Sequence, residues 1–236
     1  MVDRCRRSAG WLGIAMAVLV AQPVRAQVDT PTPMPLTPPA LSPDGIPSGI
    51  EPDTGPGGAT AADESSAYRS DPERTGENLA RLLEEIRAQN PGAASRLERL
   101  FSSVDVIDKV GESMRAVGLD PTNVADAYAL WWAQAWSNAN RVRAPEAPAT
   151  WQAIRRQARA VFAGSAGFAA TGDAERQRFA ETLIVKSILL ASAFEGAAGD
   201  EELLDEVAAS AERGAADMNV ELDTMVLTEE GFRTRR

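Results

Sequence analysis

Two long apolar stretches each carry a charge inside them: Asp126 in VADAYALWWAQAW and Lys186 in LIVKSILLASAF. A charge on a buried helix must be paired or neutralised, so the simplest expectation is a structural ion pair, Asp126 with Lys186, between two packed helices. Asp126 also sits near enough to its helix's N-terminus to complement the dipole. Three carboxylates are candidates for acid chemistry: Glu181, Glu195 and Asp126. Glu181 and Glu195 lie 14 residues apart, nearly on one helix face but about 21 Å apart along the axis. A two-carboxylate glycosidase pair needs roughly 5–10 Å, so only a lone catalytic carboxylate survives, as in helical wall-lytic enzymes. The Ser/Thr-rich hairpin and aromatic sugar groove that accompany such a carboxylate are not visible. Trp132, Trp136 and Trp151 are candidates for binding. With Trp131 they form an aromatic concentration, but adjacent indoles on a helix point about 100° apart, so core packing is the simpler role. One exposed indole would suit a partner site.

Other chemistry is excluded by composition. The chain has no histidine and one cysteine, Cys5, which removes Ser/His and Cys/His nucleophile pairs and imidazole metal sites. Glu112, Asp120 and Asp126 lack the dense alternation of a calcium loop, and GPGG at residues 55–58 lacks the strand-turn-helix setting of a phosphate cradle. The expectation is no metal and no cofactor.

The first 26 residues read as a Sec signal peptide. Arg4, Arg6 and Arg7 form a positive start, and WLGIAMAVLVA from Trp11 to Ala21 is apolar but shorter than the ~20 residues of a spanning helix. Val24-Arg25-Ala26 then places small residues for cleavage after Ala26. Arg6-Arg7 followed by Ser-Ala-Gly makes a poor twin-arginine signal, and Cys5 is misplaced for lipid attachment. The reading is a periplasmic or secreted protein with no membrane anchor. Cleavage there removes four arginines and one aspartate, leaving 20 basic and 33 acidic residues and a net charge of −13. Such a chain does not seek nucleic acid or anionic lipid.

Residues 27–72 hold ten prolines in 46 positions with few large apolar side chains, a composition that cannot offset the entropy of ordering. They read as a disordered linker, either a spacer or docking arm or a dispensable tail. Residues 73–232 read as one all-α domain of six or seven helices. Asp71-Pro72 and Asp120-Pro121 look like helix starts, Asn90-Pro91-Gly92 and Gly118 like stops. Thr150, Asp173 and Asp200 look like further caps. VADAYALWWAQAW and the helix through Lys186 are apolar around most of their circumference, which marks central elements. VELDTMVL alternates partly with period two and reads as an extended strap, with Thr228 capping a TEEG turn. Residues 233–236 read as a solvated basic tail.

At VADAYALWWAQAW and VLTEEGF the chain resembles an uncharacterised family of exported bacterial all-helical proteins, from about Asn78 to Phe232. The resemblance implies export and a helical fold and brings no activity or site residues. The expected function is therefore non-enzymatic binding of a protein or envelope component, or of a second copy of the chain as a homodimer. The alternative is a cell-wall-directed hydrolase.

Overall fold

The structure, a computed structural model, describes residues 66–163 and 166–235. The leader, its cleavage site and the arm up to residue 65 lie outside the described residues. Helices α1 (Pro72–Gln89), α2 (Pro91–Ser103), α3 (Val106–Ala116), α4 (Val124–Ala139) and α5 (Pro148–Ala163) come first. A single turn, α6 (Ala166–Ala169), leads to α7 (Asp173–Gly196) and α8 (Glu201–Ala216). A 3₁₀ turn at Leu222–Thr224 precedes strands β1 (Met225–Thr228) and β2 (Gly231–Thr234).

Local chemistry sets most of these boundaries. The Asp71 carboxylate accepts from the Glu73 amide and Pro72 is the first helical residue, where its missing N–H costs nothing. Asn90 closes α1 by donating its own N–H to Ile86 O and opens α2 by accepting from the Ala93 amide. Asp105 and Asp200 cap α3 and α8 in the same way. Gly118 follows α3 with a φ of 79°, donating to Arg115 O while Leu119 donates to Met114 O, the two bonds of a Schellman ending.

Three expected caps move. Asp120 folds its carboxylate onto the Thr122 amide and hydroxyl, so α4 begins later, with Asn123 accepting from the Ala125 and Asp126 amides. Pro148, whose fixed φ suits a first turn, starts α5 before Thr150, which is buried inside the helix. Gly172 rather than Asp173 precedes α7, its carbonyl accepting from Glu175 and Arg176.

Helix α4 is the centre of the domain. Every residue from Val124 to Ala135 is buried, because α7, α5 and α8 all pack on it. A second, smaller core forms where Leu82 and Ile86 of α1 meet Leu97 and Leu100 of α2 and Val185 of α7. No helix among the described residues is long and apolar enough to cross a membrane.

Both ends of the domain differ from expectation. Ser66–Asp71, read as linker, belongs to the fold: Tyr68 is only 8% exposed, its amide donates to Thr122 O and its hydroxyl to Pro121 O. One aromatic side chain with two long-range hydrogen bonds holds this polar stretch in place. At the other end the strap is an antiparallel hairpin pairing Met225 with Thr234 and Thr228 with Gly231. The basic tail is thereby shortened, since Arg233 lies in β2 and pairs with Glu230. Thr228 caps the turn as expected, accepting from the Glu230 amide.

Candidate functional site

Asp126 is 0% exposed, and its partners are arginines of α5 rather than Lys186. Arg155 Nε lies 3.2 and 3.1 Å from its two oxygens, Arg159 Nε and Nη2 lie 3.0 and 3.2 Å away, and the Asp120 amide donates at 2.7 Å. Burial pushes the carboxyl up to about 6, against the pull of the Asp120 amide and Arg155, so it is ionised at neutral pH. Every lone-pair direction is used, which suits a structural node tying α4 to α5 rather than a proton-transfer group. The expected Asp126–Lys186 pair is thus corrected. One α5 turn carries two arginines to the same carboxylate, a match that no spacing within α4 reveals.

Glu181 is 2% exposed and likewise enclosed. Thr75 Oγ1 donates to it at 2.6 Å, Asn78 Nδ2 at 2.7 Å and Gln177 Nε2 at 2.9 Å. Gln177 also bonds both the amide and the carbonyl of Asp71, so this node fastens the start of α1 to α7. Glu195 is at the far end of α7, its side chain 38% exposed, with Arg143 Nη1 at 3.7 Å. The structure therefore brings none of the three candidate acids together.

The tryptophans serve the interior. Trp132 is buried and stacks on Phe232 at 4.3 Å. Trp136 is half-buried and donates to Met225 O, while Trp151 is buried and donates to Pro145 O. Phe232 reaches Trp132 because Gln157 of α5 grips its backbone, accepting from its amide at 2.8 Å and donating to its carbonyl at 2.7 Å.

An open cleft lies elsewhere, between α2, α4, α7 and α8, with a volume of about 460 Å³. Its walls are mainly apolar and include Leu97, Leu100, Trp131, Ala135, Leu189 and Val207. Lys186 and Glu206 line it too, as do Ser192 and Ser210. Burial pushes the Lys186 ammonium down from 10.5 to about 8, opposed by the charges of Asp217 and Glu85. Among the described residues three buried side-chain atoms make no hydrogen bond: Trp132 Nε1, Ser137 Oγ and Glu206 Oε2. Only Glu206 belongs to the cleft. Sequence reasoning missed Glu206 and Trp131 as cleft residues. α8 looks like an ordinary amphipathic helix, and nothing local shows that α2 and α8 stand apart over α7. Among the described residues no group of three or more Cys, Asp or Glu side chains is placed to hold a metal ion.

Among the described residues, fold and site together define an all-α domain with sealed polar nodes at Asp126 and Glu181 and a mainly apolar cleft. The chain belongs to a family of unknown function, DUF6683, whose match covers residues 74–235. That span runs from the first turn of α1 through the closing hairpin. No curated protein and no solved structure matches it.

Proposed function

We propose that the protein is exported and non-enzymatic, and that it binds a protein or envelope component by taking an apolar group into the cleft between α2, α4, α7 and α8. The observation that carries this reading is the cleft itself. Its volume of about 460 Å³ is that of ordinary ligand sites, which are mostly apolar with a few placed polar groups. Large apolar side chains are otherwise kept from solvent, since Val104 and Val142 are the exposed ones among the described residues. Export is supported by the positive, apolar and small-residue order of residues 1–26. The wall-hydrolase alternative receives no support from its named acids: Asp126 and Glu181 are enclosed by donors, and Glu195 lies outside the cleft lining.

The test uses Gly214, which lines the cleft in α8 and whose added Cβ would meet nothing within 4 Å. Gly214→Phe therefore fills the cleft without disturbing the helix. After incubation with envelope extract and re-isolation, the native protein carries a component detectable by mass spectrometry that Gly214→Phe lacks. Muropeptides released from purified cell wall, and lost on Glu181→Gln, Glu195→Gln or Asp126→Asn, would overturn the reading in favour of the hydrolase.

A further inference from the structure

We infer that residues 34–50 of this chain fill the cleft of their own domain, so that a partner binds by displacing them. This rests on the binding reading above and names how that site is regulated. Composition argues for the occupant. Between Gln27 and Ser65 the large apolar side chains are Val28, Met34, Leu36, Leu41, Ile46 and Ile50, all but Val28 within residues 34–50. Residues 51–65 carry none and are mainly small or acidic, so a spacer sets the apolar segment off from the domain. The apolar walls of the cleft, from α2, α4, α7 and α8, offer those side chains a place out of water.

Length argues that the segment comes from the same chain. The spacer ends where the domain begins. Ser66 donates to Asn123 at 3.0 Å and Arg176 donates to Ala67 O at 3.1 Å, at the starts of α4 and α7. Trp131 and Ala135 carry α4 to the cleft, eight and twelve residues beyond Asn123 and so about 12–18 Å along the helix. Ile50 and Ser66 are 16 residues apart, and a Gly-rich chain of that length spans roughly 20–24 Å r.m.s.. Effective concentration is greatest where tether and span match in this way, on the order of 1 mM for a short linker.

Hydrogen bonding and charge point to the same occupant. Glu206 Oε2, on the lining, is buried and makes no hydrogen bond, so it calls for a donor. A proline-rich segment of the polyproline kind makes no internal hydrogen bonds, which leaves the Leu41 amide and the Ser42 and Ser48 hydroxyls to donate. Residues 27–65 hold six acidic and no basic side chains. Asp44 and Glu51 thus bring charge that Arg96, exposed on the lining, attracts.

The experiment measures binding of the apolar dye N-phenyl-naphthylamine to the native protein and to an arm variant carrying Leu41→Ser, Ile46→Ser and Ile50→Ser. The dye binds the arm variant about tenfold more tightly, the factor set by a segment of Kd about 0.1 mM held at about 1 mM. Gly214→Phe abolishes dye binding in both. A free peptide of residues 34–50 displaces the dye from the arm variant, and the same peptide with the three serines does not. Diluting the native protein tenfold leaves its dye affinity unchanged. Equal affinity in native protein and arm variant, lost in both with Gly214→Phe, overturns the arm as occupant and leaves the cleft a binding site. Native affinity that rises on dilution assigns the segment to a second copy and overturns the assignment to the same chain. Dye that the arm variant does not bind, or still binds with Gly214→Phe, overturns the cleft reading and this inference with it.

Discussion

Asp126 and Lys186 each sit inside an apolar helix, and their surroundings separate them. Asp126 faces α5, where Arg155 and Arg159 supply four charge-assisted contacts at 3.0–3.2 Å. Lys186 faces the cleft, with Asp217 and Glu85 as its opposing charges, and its ammonium is pushed down from 10.5 to about 8. The unfolded chain keeps that proton up to about 10.5 and the folded chain releases it near 8. Stability from this group therefore grows as pH rises through that window. Replacing Lys186 with methionine removes the titration. Urea unfolding is expected to show Lys186→Met more stable than the native protein near pH 7, with the difference shrinking toward pH 10.5. A difference that stays constant across the window would show that Lys186 is solvated in the folded state. Asp126 was legible as a buried acid from its apolar neighbours, whereas Glu181 was legible only as a candidate acid on the helix through Lys186. Their donors were not, because Thr75 lies 106 positions from Glu181 and Arg159 lies 33 from Asp126.

The closing hairpin shows how one element depends on another. Gly231 has a φ of 100°, and a Cβ there would stand 2.5 Å from Gln157 Oε1. That oxygen is the one receiving the Phe232 amide, so a side chain at position 231 pushes away the group that seats Phe232 on Trp132. Gly231→Ala is expected to cost about 2 kcal/mol, combining backbone strain with a displaced hydrogen-bond pair. Chemical denaturation followed by tryptophan fluorescence measures it; a loss within ±0.5 kcal/mol would mean that Gln157 swings aside freely. The period-two alternation of VELDTMVL announced extended chain, and Thr228 announced the turn. The return strand was hidden because GFRT has no alternation of its own and is held by a glutamine 75 positions away.

At the scale of the whole molecule, the domain begins before its first helix. Tyr68 is buried among α4 and its neighbours, and Ser66 donates to Asn123, the residue that caps α4. A chain beginning at Pro72 exchanges this packing for water. It is expected to be about 3 kcal/mol less stable than one beginning at Ser66, the usual loss for deleting a buried aromatic side chain. Thermal unfolding compares the two, with a midpoint lower by roughly 6–12 °C for a domain of this size. Equal midpoints would return residues 66–71 to the linker. The cleft belongs to this scale too, since it needs four helices to border it and none of them is unusual alone.

Cap residues, prolines and the 3.6-residue spacing of apolar side chains act within a turn or two of the backbone. The sequence by itself therefore determined the all-α class, the long helices and the burial of α4 and α7. Tertiary structure decided which charges meet, where Phe232 packs and which helix faces are left apart to make the cleft. Those outcomes depend on groups brought together through space from distant positions, and the free energy of each contact exists only once the helices have docked.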